Sequence, residues 1–127
     1  MTRTEPFTFN DCIRSMHEKP QGADDNFNNE GLVAIISLEQ LSEEYRKPEY
    51  QLFRLSSGFG CKPTGSGRKC FGTFCFDGAD DQFGKYSFIG IANEETTKIA
   101  EAMESEWNGG NQSTRTPDKE DGMGAEM

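Results

Sequence analysis

KCFGTFCFDGADDQFGKYSFIGIA, residues 69–92, decides how this chain is built. Its first nine residues alternate as a strand does, with Cys70, Phe74 and Phe76 on one face and Phe71, Thr73 and Cys75 on the other. Residues 85–92 repeat the pattern, with Tyr86 and Phe88 opposed to Ile89 and Ile91. Between them GADDQFG (78–84) reads as a turn by composition. Gly72 and Gly90 mark bulges or places where backbones approach closely.

Working outward, EYQLFRLSS (49–57) reads as a preceding strand, and strands joined by short turns form an antiparallel meander. LVAIISL (32–38) reads as a buried strand. Three helices are expected around them. In TFNDCIRSMHEK (8–19), Phe9, Cys12, Ile13 and Met16 fall on one helical face, Thr8 can cap the start and Pro20 ends it. Ser37 and Gln40 have capping-box spacing, and Leu38, Leu41 and Tyr45 follow as a helical stripe that stops before Pro48. NEETTKIAEAMESEWN (93–108) is the clearest helix, with Asn93 as N-cap and Glu94 and Glu95 at the positive end of the dipole. Thr96, Ile99, Ala100, Met103 and Trp107 form its apolar face.

These elements predict an α+β fold: a small, mostly antiparallel sheet of about four strands with two to three helices on one face, followed by a disordered C-terminal tail. Residues 1–107 form the single domain. Residues 108–127 have no aromatic or branched aliphatic residue and cannot offset their ordering entropy.

Bulk composition narrows the function. The 127 residues suffice for one modest core, to which the ten Phe rings bring much of the buried area. The net charge of −9 argues against direct binding to nucleic acid or anionic membrane and suits docking on a basic protein surface. No apolar run approaches the roughly 20 residues of a membrane span. The N-terminus MTRTEPFTF carries no signal-peptide pattern, so a cytoplasmic location with reduced thiols is expected.

The glycine-rich stretch GFGCKPTGSGRKC (58–70) invites three readings. As a P-loop it fails, because Ser66 stands where the lysine is needed and a strand follows instead of a helix. As an anion nest it would use glycine amides with Lys62, Arg68 and Lys69, and Arg54 nearby; the plainer reading is a solvated hairpin tip. As half of a zinc site it would use Cys61, Cys70 and Cys75 with Cys12 or His17. The spacing C-x8-C-x4-C lacks a close pair, however, and Cys70 and Cys75 point to opposite faces of a regular strand.

No catalytic constellation emerges. His17 is the one histidine, and no cysteine sits at a nucleophile elbow. Asp77, Asp80 and Asp81 cluster without calcium-loop spacing. The expected function is therefore a non-catalytic protein-binding module, an inhibitor or adaptor, with no cofactor. In general type the chain resembles accessory proteins of phages and mobile elements, whose acidic surface would dock on a basic, nucleic-acid-binding partner. The expected contact residues are Glu94, Glu95, Glu101, Glu104 and Glu106 on the last helix, and Lys62, Arg68 and Lys69 on the loop. The alternative is a small zinc- or ligand-binding domain organised by the Cys61/Cys70/Cys75 hairpin.

Overall fold

The computed structural model describes residues 5–108, so the expected disordered tail lies outside the described residues except for Asn108, which ends a helix. The architecture is not the four-strand sheet with two to three helices. Among the described residues it is one six-stranded antiparallel sheet with a single α-helix. The strands are β1 (Cys12–Arg14), β2 (Val33–Ile36), β3 (Leu52–Ser57), β4 (Lys69–Phe74), β5 (Asp80–Gly84) and β6 (Phe88–Ala92); the helix is α1 (Glu94–Asn108). The order across the sheet is β1-β6-β2-β3-β4-β5.

Three misread segments account for the difference. The stretch read as a turn, 78–84, turns only at its start, and Asp80–Gly84 then pairs with β4 from Thr73↔Asp80 to Lys69↔Gly84. An edge strand needs only one side chain packed on the core to hold its register, here the partly buried Phe83, and its charged residues protect the open edge. The second segment is the expected first helix. Thr8 does cap: its Oγ1 accepts from the Asn10 N–H and its N–H donates to Asp11 Oδ2. The cap serves only one 3₁₀ turn, Phe9–Asp11, after which Cys12 is extended and pairs with Ala92 at the edge of β6. Phe9 and Ile13, supposed members of an apolar face, are 53% and 59% exposed. A short helix is marginal without tertiary packing, whereas an open strand edge offers backbone partners at once.

The expected second helix is also absent. Residues 38–51 make three separate 3₁₀ turns, Leu38–Gln40, Glu43–Tyr45 and Pro48–Gln51. Ser37 makes no cap and donates its hydroxyl to Glu39 Oε1 instead. Only the last helix forms as expected, with Asn93 Oδ1 accepting from the Thr96 N–H at 2.8 Å. Thr96, Ala100 and Met103 are its buried face.

Every residue of β2 is buried, so the sheet is covered on both sides. Val33, Ile35, Leu52, Cys75 and Ala92 pack with Phe7, Ala100 and Met103 on the α1 side. Ala34, Ile36, Phe53, Leu55, Cys70, Phe74, Phe88 and Ile91 pack on the other, under loops. Phe88 and Ile91 share that side because β6 bulges between its pairings Gly90↔Ile35 and Phe88↔Ile36. Gly90 is required there: a Cβ would lie 2.4 Å from the Arg14 carbonyl oxygen.

Buried polar groups pin the segments around the sheet. Gln51 is inaccessible to solvent; its Oε1 accepts from the Phe7 N–H at 2.8 Å, and its Nε2 donates to the carbonyls of Phe7 and Ile36 at 3.1 and 2.9 Å. One side chain thus ties the N-terminal segment to the central strand. Gln51→Ala removes these three hydrogen bonds, and the expected loss is roughly 2–4 kcal/mol. Urea denaturation checks it, with the exposed Glu43→Ala expected within about 0.5 kcal/mol of the parent.

Candidate functional site

The β4–β5 turn makes the site. Phe74 donates its N–H to the Ala79 carbonyl and accepts at its own carbonyl from the Gly78 N–H, which closes the turn tightly. Gly78 has φ +77°, and the Trp107 ring lies where its Cβ would stand, at 2.9 Å. Trp107 also donates its indole N–H to the Cys75 carbonyl at 2.9 Å. The end of α1 therefore rests on the turn and fixes its outer face.

On the inner side, the turn meets the 3₁₀ turns of residues 38–51 across a cleft of about 290 Å³. Its walls are aromatic: Tyr45 and Tyr50 contact edge to face at 5.1 Å between centroids, Tyr50 contacts Phe74 at 5.7 Å, and Phe83 adjoins Phe74 at 5.9 Å. Phe76 stands behind Tyr50 at 5.2 Å. The rim is acidic, formed by Asp77, Asp80 and Asp81, and none of the lining residues is basic. Asp77 Oδ1 accepts from the Ala79 N–H and Asp81 Oδ1 from the Gln82 N–H, so both carboxylates are oriented. Burial and then the Asp77 carboxylate hold the Tyr50 phenol above its ordinary pKa. Arg46, beside Tyr45, spends its guanidinium on the Leu41 carbonyl.

Of the five glutamates expected to form the contact surface, four face solvent and one turns inward. Glu94, Glu95, Glu101 and Glu106 are exposed on α1. Glu94 pairs loosely with Lys98 at 3.9 Å. Glu104 turns inward: Arg54 Nε donates to its Oε2 at 3.0 Å and Nη2 to its Oε1 at 2.5 Å, while Arg54 Nη1 holds the Gly31 carbonyl at 2.8 Å. The hydrogen bond to Glu104 raises the Arg54 pKa further. Arg54 is therefore part of the α1–sheet junction and not a neighbour of the basic loop.

The glycine-rich loop is organised around a cation of its own chain. Lys85, only 3% exposed, donates its ammonium to the carbonyls of Lys62 and Gly65 at 2.8 and 3.0 Å. The loop thus turns these carbonyls inward to a cation, the reverse of the anion nest expected from its glycines. Of its basic residues, Lys62 is half-buried, Arg68 lies over the Tyr86 ring at 5.6 Å, and Lys69 donates to Gln82 Oε1 at 3.1 Å.

The sheet divides the thiols. Cys61 and Cys70 are buried on the loop side and Cys75 on the α1 side. Cys12 packs against the α1-side core, and the His17 ring stacks on Tyr86 at 4.7 Å. Among the described residues no group of three or more His, Cys, Asp or Glu side chains could hold a metal ion. The zinc alternative therefore has no converging ligand set. Burial, and then Asp11, pushes the Cys12 thiol up to about 12, and burial followed by Glu104 raises Cys75. The Cys61 thiol donates to the Ser57 carbonyl at 3.2 Å and the Cys70 thiol to the Arg68 carbonyl at 3.8 Å; interaction between the two thiols, and then burial, raises Cys61, and the same interaction lowers Cys70.

Sequence reasoning missed Lys85, read only as a strand residue, and missed that Tyr45 and Tyr50 face the aspartate turn. The signal for the second was present: two tyrosines flanking Pro48, in a chain with more aromatic rings than its small core encloses.

Removing Glu104 leaves Arg54 half-buried without its carboxylate. Glu104→Ala is expected to destabilise by roughly 1–3 kcal/mol, and Glu101→Ala by less than about 0.5 kcal/mol. Thermal or urea unfolding of the two variants side by side checks the difference.

No protein-family model, curated protein or solved structure matches the chain.

Proposed function

We propose that the protein is a non-catalytic protein-binding module, an inhibitor or adaptor, that seats a lysine or arginine side chain of a basic partner in the aromatic cleft below Asp77, Asp80 and Asp81. The observation that carries this reading is the cleft itself, where aromatic walls meet a rim with three aspartates and no basic residue in a volume of about 290 Å³. Ring faces attract a cation through their quadrupole, by about 0.5–2 kcal/mol depending on desolvation. The aspartates neutralise the charge, and the aliphatic stem packs on the rings. The net charge of −9 attracts a basic surface from a distance and speeds encounter. A partner that itself binds nucleic acid carries such lysines and arginines in clusters. An acidic module of this kind would compete with the nucleic acid for that surface. The exposed glutamates of α1 then add to the long-range field, while the cleft provides the specific contact.

No helix among the described residues is long and apolar enough to cross a membrane. A cytoplasmic location belongs to the same proposal, as the compartment in which a nucleic-acid-binding partner is met.

Binding of a fluorescent lysine-rich peptide separates a seated cation from diffuse attraction. Replacing Asp77, Asp80 and Asp81 together by Asn is expected to weaken binding by at least about tenfold and to flatten its salt dependence. Tyr50→Ala leaves the charge unchanged and is expected to weaken binding about three- to tenfold. Affinity that ignores Tyr50 and follows only total charge would contradict the cleft as the site.

A further inference from the structure

The pair Cys61 and Cys70 has chemistry that cation binding does not use. Both side chains are fully buried in the same core cluster under the glycine-rich loop. Their surroundings bring the two chain segments together. A Cβ on Gly58 would lie 2.3 Å from the Lys69 carbonyl oxygen; one on Gly60 would lie 2.5 Å from that of Arg68 and 2.7 Å from Cys70 Sγ. The backbone just before Cys61 thus rests on the sulfur of Cys70. The Cys61 S–H donates to the Ser57 carbonyl at 3.2 Å, and the Cys70 S–H to the Arg68 carbonyl at 3.8 Å. Lys85, clamped by the carbonyls of Lys62 and Gly65, brings a positive charge that favours a thiolate at both sulfurs.

We infer that Cys61 and Cys70 are an oxidisable dithiol, a modification site at which a hydroperoxide closes a disulfide across the loop that carries Lys62, Arg68 and Lys69. Cys70 is the attacking sulfur, because the neighbouring Cys61 thiol and the Lys85 ammonium favour its thiolate, while interaction with Cys70 and then burial hold Cys61 protonated. Cys70 gives up its proton, its thiolate attacks one peroxide oxygen, the O–O bond breaks, and the departing hydroxide takes up that proton and leaves as water, giving Cys70 sulfenic acid. The Cys61 sulfur then attacks the Cys70 sulfur. The S–O bond breaks, and the departing hydroxide leaves as water with the Cys61 proton. Two thiols lose two electrons and two protons, and one hydrogen peroxide becomes two waters. Neither sulfur is exposed, so the reagent enters when the loop lifts, against the Lys85 bonds and the Thr64 hydroxyl held by the Asp25 carbonyl at 3.0 Å. Cys12 and Cys75 are internal controls. Burial holds both thiols protonated, and they lie on the other side of the sheet.

The test uses the full chain and hydrogen peroxide. After exposure the protein is denatured, alkylated with iodoacetamide and mapped by mass spectrometry. The expected result is a Cys61–Cys70 linkage, two hydrogens lighter, forming at least about tenfold faster than any oxidation of Cys12 or Cys75. In Cys61→Ser the sulfenic acid has no resolving partner, so dimedone is expected to label Cys70; in Cys70→Ser the label on Cys61 is expected to fall about tenfold. The wild-type map decides the matter even if a variant fails to fold. Linkage of either cysteine to Cys12 or Cys75 would overturn the inference. So would four free thiols in the folded chain under peroxide that oxidises the urea-unfolded chain.

Discussion

The chain must cover two faces of one sheet with one helix. β2 is buried along its whole length, and Leu52 and Phe53 of β3 are buried on opposite sides, so neither face can be left to solvent. α1 roofs one face. The other is roofed by loop segments, and loops bring backbone polar groups that need partners away from water. Three buried polar residues stand at these junctions. Gln51 ties Phe7 to Ile36. Asn29 donates its backbone N–H to the Cys61 carbonyl and accepts from Arg14 at its Oδ1. Lys85 gathers the glycine-rich loop. The 3₁₀ turns and both sites discussed above follow from this arrangement, because each lies where a loop stands in for a helix.

The aromatic core connects that roof to the cleft. Phe53 touches Phe74, Phe83 and Phe88 at 5.4, 5.3 and 5.8 Å, largely edge to face. The same packing continues from Phe74 to Tyr50 and on to Tyr45 and Phe76, which are partly exposed. Where the rings emerge from the core they meet the aspartate turn. The cleft is therefore held by core packing and not by mobile side chains, which lowers the ordering cost of receiving a ligand.

Much of the sheet was legible because period-two alternation is a local signal. The central strands lie where the residues placed them, and the odd separation of Cys70 and Cys75 put those thiols on opposite faces. α1 was legible because its N-cap, first-turn acids and buried stripe agree. The first segment misled because Thr8, Asp11 and the spacing of Phe9, Cys12, Ile13 and Met16 satisfy a helix locally, while the open edge of β6, which decides the outcome, is distant in sequence. β5 was hidden because an edge strand with one apolar residue has the composition of a turn. Site residues were harder still. Nothing local distinguishes Glu104, bound to Arg54, from exposed Glu101. Nothing local shows that Lys85 is buried. The aspartates were noticed, but their meaning depends on the tyrosines that the fold brings across from the far side of β3.

Amide chemical-shift mapping during titration with a lysine-rich peptide tests the central claim most directly, since it locates the contact in the unaltered protein. The predicted result is a compact set of large shifts at residues 77–83 and around Tyr45 and Tyr50, with the amides of the first turns of α1 nearly unmoved. Shifts concentrated along α1, or spread evenly over every acidic surface, would contradict it.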